Sequence, residues 1–398
     1  MNILVTEGEN RSTLAVTRSL GRRGCRVVVT GKMNRNLSSC SRYCQQSYSV
    51  PEPLNAGSDY AATIAEIATR EEIDVIFPMT EQSIYLLNQA REMMPNKTIM
   101  ACPTADKMSM VADKVTLCKL AEKLGVPLPR TLYLTGPQDL ASRVREIERY
   151  PVVVKPALSR IQDTQGFISG GVRYATSQAE LLQIYATQES LRFPSMIQEM
   201  IVGPGTGLFT LYDTNRHIAL FSHRRLREKP PSGGVSVVSE SVPLDREMVE
   251  AADRLLSAVG WTGVGMVEFK RDIRDGKAKL MEINGRFWGS LQLSIACGVD
   301  FPGLYLDYLQ RGKQEPIKPD YSVGHKLKWF WGTLDHLLIR LKNGDSKLNL
   351  PTENSKLEAF YDFLKIFEEN SSFDVFDKDD IGPFIFESKS YLRYCLRG

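Results

Sequence analysis

Two apolar periods alternate along this chain. Short apolar runs read as strands, and stretches with a three-to-four-residue apolar spacing read as helices. Ile3-Leu4-Val5 is a short strand, residues 7–10 are polar, and residues 13–20 have helical spacing. Residues 26–29 form a second strand, so the opening is β-α-β and predicts a Rossmann-like half. The loop Glu7-Gly8-Glu9-Asn10-Arg11-Ser12 holds one glycine and two acids. It lacks G-x-G-x-x-G, and its acids would repel a pyrophosphate, so a nucleotide-linked oxidoreductase, which would rest on this lobe alone, is disfavoured. Residues 61–70 read as a helix and 74–77 as a buried strand. Pro78-Met79-Thr80-Glu81 then leads into a helix capped by Thr80. This first lobe is expected to end near residue 104.

Further along, residues 112–124 read as one helix ending at Gly125, and Pro127 and Pro129 mark a break. Strands at 131–134 and 152–155 flank a helix at 140–148. Residues 156–171 read as a polar loop containing Gly166, Gly170 and Gly171, followed by a helix at 179–187 and a strand at 196–201. Strands dominate 208–242, a helix covers 248–259, and residues 304–310 close the globule. Beyond about residue 320 the pattern changes. Trp331, Leu334, Leu337, Leu338 and Leu341 fall at helical spacing within 327–341, with basic residues between them. A helix packed on the domain explains such a stripe better than a membrane-surface helix does. Residues 356–368 read as a second amphipathic helix. Residues 373–386 mix acids and aromatics around a Gly-Pro turn, with no readable role.

The densest chemistry lies in residues 265–290. Gly265-Met266-Val267-Glu268-Phe269 and Lys279-Leu280-Met281-Glu282-Ile283-Asn284 read as two strands joined through Asp275-Gly276. Folding about Asp275 sets Glu268 opposite Glu282. Glu282, Asn284 and Arg286 then share a face, because alternate residues of a strand point the same way. Two carboxylates and an amide oxygen suit Mg²⁺, which takes one or two carboxylates and fills its shell with water and phosphate oxygens. The adjacent arginine suits a phosphate or a carboxylate. A solvent-facing polar stripe would explain any one of these residues. The whole set, followed by the Gly-rich run 285–289, favours a metal–nucleotide site.

Composition narrows the alternatives. At 398 residues the chain exceeds one ordinary core, so two or three lobes are expected. The net charge of +3 makes no electrostatic case for nucleic acid or for a membrane surface. No apolar run spans a bilayer, the first residues lack a signal-peptide layout, and a cytoplasmic location is expected. The seven cysteines are scattered. Cys40 and Cys44 form a C-x3-C pair without a second pair, so reduced thiols are expected rather than a zinc site. The four histidines show no ligand spacing.

Smaller signals lie elsewhere. Lys155 ends the apolar run Val152-Val153-Val154 and precedes a flexible loop, an arrangement suited to phosphate. Lys114 opens a helix, where it opposes the dipole unless an anion sits there. Gln198, Glu199, Met200 and Ile201 run into Gly203-Pro204-Gly205 and can offer backbone groups to an adenine edge. The basic run 223–229, followed by Pro-Pro-Ser-Gly-Gly, lacks the interleaved aromatics of an RNA surface. It suits an anionic substrate or nucleotide, or else a solvated strand edge.

Taken in order, these pieces resemble the ATP-grasp superfamily, especially its carbamoyl-phosphate-synthase-like members. The likeness covers roughly residues 1–310. It rests on Asp113-Lys114, Tyr150-Pro-Val-Val-Val-Lys155-Pro, Ile197-Gln-Glu-Met-Ile, Val267-Glu268-Phe and Met281-Glu-Ile-Asn-Gly-Arg286. It implies an α/β fold with a Rossmann-like pre-ATP-grasp lobe (1–104). A two-lobed ATP-grasp domain would follow (105–315, divided near 201), then a helical C-terminal extension (316–398). It implies ATP phosphates on Lys114 and Lys155, adenine at the 198–201 hinge, and Mg²⁺ (or Mn²⁺) on Glu268, Glu282 and Asn284. Arg286 would stabilise the transferring phosphoryl group, and Ser290 and Arg225 would face the substrate. Many relatives bind the ribose through a glutamate after the hinge. Here the run is Gly205-Thr206-Gly207-Leu208, so Thr206 or a neighbouring acid must substitute. The loop 157–170 is also less glycine-rich than usual. The implied activity is ADP-forming ligation of a small carboxylate to an amine or thiol, with a homodimer as the default assembly. A non-catalytic ATP-binding regulatory module is the alternative.

Overall fold

The computed structural model describes residues 1–54, 57–163, 166–231, 234–342 and 356–397. Two stretches singled out in the sequence therefore fall partly outside the described residues: 164–165 of the polar loop and 232–233 after the basic run.

The opening β-α-β reading holds. Strands β1 (Asn2–Val5), β2 (Arg26–Gly31), β3 (Cys44–Ser49), β4 (Val75–Phe77) and β5 (Ile99–Met100) form a parallel sheet in the order β3-β2-β1-β4-β5. Helices α1 (Arg11–Arg22), α2 (Gly57–Arg70) and α3 (Glu81–Gln89) connect it. Thr80 caps α3 as expected, and the cap is reciprocal with Ser83.

The predicted helix 112–124 is α5 (Lys114–Lys123), and a separate helix that the pattern did not give, α4 (Ala105–Ala112), precedes it. Asp113 breaks them: its Oδ1 accepts from the amides of Val115 at 2.9 Å and Thr116 at 3.0 Å, which starts a new helix. Next comes a small antiparallel sheet in the order β10-β7-β11-β6. It contains β6 (Thr131–Leu134), β7 (Val152–Pro156), β10 (Arg173–Ala175) and β11 (Ser195–Glu199), with α6 (Pro137–Arg143) and α7 (Gln178–Thr187) between them. The predicted loop 156–171 instead contains a separate hairpin, β8 (Arg160–Asp163) with β9 (Gly166–Ser169). This hairpin pairs only with itself and lacks the long apolar run that marks a buried strand.

The largest sheet has seven strands, ordered β16-β15-β12-β13-β14-β17-β18. These are β12 (Gly205–Asp213), β13 (Arg216–Lys229), β14 (Val235–Ser241), β15 (Thr262–Arg271), β16 (Ala278–Asn284), β17 (Lys326–Lys328) and β18 (Ser371–Phe373). Helices α8 (Arg246–Val259), α9 (Leu291–Ala296) and α10 (Phe301–Arg311) accompany it. One apolar cluster runs from α1, β1 and β4 to β12, β13, α9 and α10, so the first sheet and the large sheet share a core. Phe77 meets Phe287 at 6.1 Å and Tyr305 at 6.0 Å across that junction.

The C-terminal residues form α11 (Phe330–Lys342), α12 (Lys356–Leu364) and α13 (Gly382–Arg397), and they also supply β17 and β18. Leu327 lies in β17 rather than in the predicted helix, because it is buried as an addition to the sheet edge. Gly382-Pro383 opens α13 rather than making a turn, since proline is tolerated in a helix's first turn. The docking is polar. Arg18 is 1% exposed, its Nε donates to Asp380 at 2.8 Å, and its Nη2 donates to the Val375 carbonyl at 2.8 Å.

Candidate functional site

The hairpin β15–β16 sets the geometry. Glu268 pairs with Glu282 and Met266 with Asn284, as folding about Asp275 requires. Between Glu268 and Phe269 the register shifts, so that Phe269 faces Leu280 and Met281 is the extra residue of a bulge. Asn284 Nδ2 donates to Glu282 Oε1 at 2.9 Å, and Arg286 Nη2 reaches Asn284 Oδ1 at 3.4 Å. The expected face of Glu282, Asn284 and Arg286 therefore forms.

Two like charges directly opposite each other on a sheet repel. Burial, with Glu282 adding to it, raises the Glu268 carboxyl above the usual range, although Arg225 Nη2 donates to it at 2.6 Å. Burial also works against the charge of Glu282. Lys114, the Asn284 amide, Lys155 and Arg286 outweigh it and hold that carboxyl below the usual range. A divalent cation would relieve the remaining repulsion. Among the described residues no group of three His, Cys, Asp or Glu side chains forms a metal cage. Two carboxylates and an amide fit Mg²⁺, which relies on water and phosphate for the rest.

Two adjoining cavities meet at this hairpin. The larger, about 760 Å³, is lined by Lys114, Lys155, residues 198–201, Met281 and Glu282. The smaller, about 570 Å³, is lined by Glu282, Asn284, Arg286 and Ser290 on one side and Arg11, Thr80, Glu81 and Gln82 on the other. Lys114, Arg225, Glu268 and Glu282 border both.

Lys114 and Lys155 arrive from different elements. The Lys114 Nζ donates to Ser159 Oγ at 2.7 Å, and its amide donates to the Ala157 carbonyl at 2.8 Å. Lys155 ends β7 and is nearly buried. Burial pushes its ammonium below the ordinary lysine range, opposed chiefly by Glu282. Gln198 and Glu199 lie on β11, whereas Met200 and Ile201 fall beyond it, so the expected strand stops at the hinge. The Gln198 side chain is buried and its Oε1 has no partner. Glu199 is held by the Arg130 amide at 3.0 Å and by Arg274 at 3.1 Å. Gly203 can only be glycine: its φ is +154°, and a Cβ would sit 1.8 Å from the Arg271 carbonyl. Thr206, the expected ribose substitute, lines neither cavity.

Arg225 reaches Glu268 and also Glu228, at 3.0 Å, rather than standing free for a substrate. Ser290 shares a 2.7 Å hydrogen bond with His223 Nε2. Burial, then the Arg225 charge, pushes the His223 imidazole down to about 3, so it stays neutral.

Several cavity residues carried no sequence signal. Glu81 and Gln82 come from the first lobe, and Glu81 lies 4.0 Å from Arg286. Their corner is pinned by Glu7, whose buried carboxylate accepts from Tyr60 at 2.8 Å, Ser83 at 2.9 Å and the Met79 amide at 3.2 Å. Burial raises the Glu7 carboxyl above its usual range. The acid read as repelling a pyrophosphate is thus a structural brace. His336, Arg340 and Asp362, from the C-terminal helices, wall the larger cavity.

A parallel lobe, a small antiparallel lobe and a large, mostly antiparallel sheet, with two lysines and a paired-carboxylate hairpin, define an ATP-grasp fold. The family described as "ATP-grasp in the biosynthetic pathway with Ter operon" matches residues 210–329, and a PylC-like N-terminal domain matches residues 3–102. Residues 210–329 thus match an ATP-grasp family model, and the fold is of the ATP-grasp type. Biotin carboxylase from Campylobacter jejuni, in complex with β,γ-ATP, has a similar structure: TM-score 0.65 at 18% identity, covering 82% of this chain and 74% of that one. L-amino acid ligase from Bacillus licheniformis gives 0.59 at 17% identity, covering 78% and 74%. Pyruvate carboxylase of Bacillus subtilis (strain 168) is 25% identical over 270 residues, 62% of this chain, which spans only 22% of that protein. Among the described residues no helix is long and apolar enough to cross a membrane.

Proposed function

We propose that this protein is an ATP-dependent, ADP-forming ligase that activates a carboxylate as an acyl-phosphate and passes the acyl group to an amine or thiol. The observation that carries this reading is the opposed pair Glu268 and Glu282, with Asn284, standing where two cavities of different chemistry meet. The larger cavity suits the nucleotide, with adenine at residues 198–201 and phosphates on Lys114 and Lys155. The smaller suits the acceptor, with Arg286 and Ser290 at its metal end. The names of the structural relatives, a carboxylase bound to β,γ-ATP and an amino acid ligase, agree with this division.

Glu268, Glu282 and Asn284 would hold Mg²⁺, or Mn²⁺, which when bound neutralises charge on the phosphates. A carboxylate oxygen of the acceptor attacks the γ-phosphorus, the bond to the β-phosphate oxygen breaks, and ADP leaves. The nucleophile then attacks the acyl carbon, phosphate departs with the electron pair of the acyl C–O bond, and the nucleophile's proton passes to solvent. Lys155 and Arg286, whose charges both act on Glu282, offset the negative charge that develops in phosphoryl transfer. Arg225 keeps Glu268 aligned in the meantime, and Ser290 faces the acceptor.

ADP and phosphate release from Mg-ATP, measured with pooled carboxylates and pooled amines alone and together, tests this reading. Release that needs both pools is expected. Tight Mg-dependent ATP binding with no release in any pool would replace the ligase with a non-catalytic nucleotide-binding module.

A further inference from the structure

Part of the wall of the larger cavity comes from the C-terminal region. His336 of α11 and Asp362 of α12 line it beside Glu228 of β13. Each is held in place. His336 Nδ1 stands 2.7 Å from the Glu228 carbonyl. A carbonyl only accepts, so Nδ1 carries the proton. Burial lowers the His336 pKa, so the ring is neutral and its Nε2 is left as an acceptor. His336 lines the cavity, and with Nδ1 engaged by the Glu228 carbonyl, Nε2 is the ring nitrogen left to accept. Asp362 accepts from Arg227, with its backbone carbonyl 3.1 Å from Arg227 Nη1, and so fastens α12 to β13. Glu228 is paired with Arg225 at 3.0 Å, within reach of the carboxylate hairpin.

The cavity is therefore chemically divided. Its hairpin end carries Lys114, Lys155 and Arg225, donors suited to phosphate oxygens. Its far side also carries the guanidinium groups of Arg227 and Arg340, and sets among them two acceptors, the His336 Nε2 of the C-terminal region and the Glu228 carboxylate of β13. Such acceptors receive hydroxyl protons. In a nucleoside triphosphate the group that carries hydroxyls is the sugar, which sits between base and phosphates. Thr206 cannot serve, because it lies outside the cavity.

We propose that the C-terminal region completes the nucleotide site, with His336 Nε2 and the Glu228 carboxylate accepting hydrogen bonds from the ribose hydroxyls and Asp362 positioning that wall. This rests on the nucleotide reading given above. It assigns a binding role to a part of the chain outside both lobes of the hinge.

The test compares Mg-ATP with Mg-2′,3′-dideoxy-ATP, binding of each measured by calorimetry to the full-length protein. The wild type is expected to prefer ATP by about tenfold, the scale of a hydrogen bond to a polar or charged group. His336→Asn keeps a donor near the Glu228 carbonyl and removes the Nε2 acceptor, so it should weaken ATP and leave dideoxy-ATP nearly unchanged. Asp362→Asn, which loosens the wall, should also narrow the preference. Equal weakening of both nucleotides by His336→Asn, or equal binding of both by the wild type, would overturn the assignment while leaving ATP binding intact. Absence of binding by the wild type to either nucleotide would instead sink the nucleotide reading itself. Circular dichroism of each variant separates these results from misfolding.

Discussion

The carboxylate hairpin and the basic arm at the end of β13 both bring charge to the larger cavity, and they neutralise it in opposite ways. On the arm every cation has an acid of its own. Arg224 meets Glu240 at 2.6 Å, Arg225 meets Glu228 and Glu268, Arg227 meets Asp362 at 3.2 Å, and Lys229 meets Asp335. On the hairpin, Glu268 and Glu282 face each other and depend on cations brought from α5, β7 and β13. Both regions draw partners from neighbouring elements, but the arm sets opposite charges together, whereas the hairpin sets two acids against each other. Opposed acids favour a bound cation. Paired opposite charges hold structure together.

The sharpest way to break this contrast is Glu282→Gln. The isosteric amide removes the charge and keeps the shape, so nucleotide turnover should fall by about 10²–10³-fold, the cost of losing one preorganised electrostatic group. The thermal midpoint should fall, because the Glu282 charge is held below its usual range by Lys114, Lys155 and Arg286 and so is net favourable in the fold. Near-wild-type turnover in the purified variant would remove the metal assignment.

A smaller effect comes from the buried imidazoles. Burial is the main cause that pushes His217 down to about 4 and His223 down to about 3, so both are neutral in the fold. Unfolded, each protonates below about pH 6.5. The unfolded chain then binds more protons, so stability is lost as pH falls from about 6.5 towards those values. Each ring should cost on the order of 2 kcal/mol by pH 5. Urea melts at pH 7 and pH 5 would show this, and His223→Asn should remove its share of the slope. An unchanged slope in that variant would mean that the ring protonates in the fold.

Least of all should follow from Arg224→Ala. Its guanidinium is about half exposed, and an ion pair of that kind contributes under about 1 kcal/mol. A loss of several kcal/mol in a denaturant titration would show that the arm is a stressed element like the hairpin.

The same contrast separates what could be read along the chain from what could not. Glu268 faces Glu282 because a short turn joins their strands and the side-chain period is fixed, so the pairing was visible locally. The bulge at Met281 was not, because it depends on how β15 packs in the sheet. Asp113 was legible as part of a lysine-bearing helix start, and its capping role sets that start at Lys114; the helix before it gave no clear period. The 156–171 stretch lacked an apolar run and read as a loop, though it pairs with itself. The brace at Glu7 was misread because an acid in a loop gives no sign that Tyr60, Ser83 and the Met79 amide converge on it.

Taken alone, the sequence determined the β-α-β opening, much of the order of strands and helices through residues 105–315, and the carboxylate–amide–arginine face. All of these follow from periodicity and from contacts close along the chain. Only the tertiary structure decided that the first lobe supplies Glu81 and Gln82 to the smaller cavity. It alone decided that Thr206 stands aside, and that residues 336 and 362 wall the larger cavity more than a hundred positions after Arg227 and Glu228. Such contacts leave no local period, because they are chosen by the packing of whole elements and by the need of buried charges to find partners wherever the fold brings them.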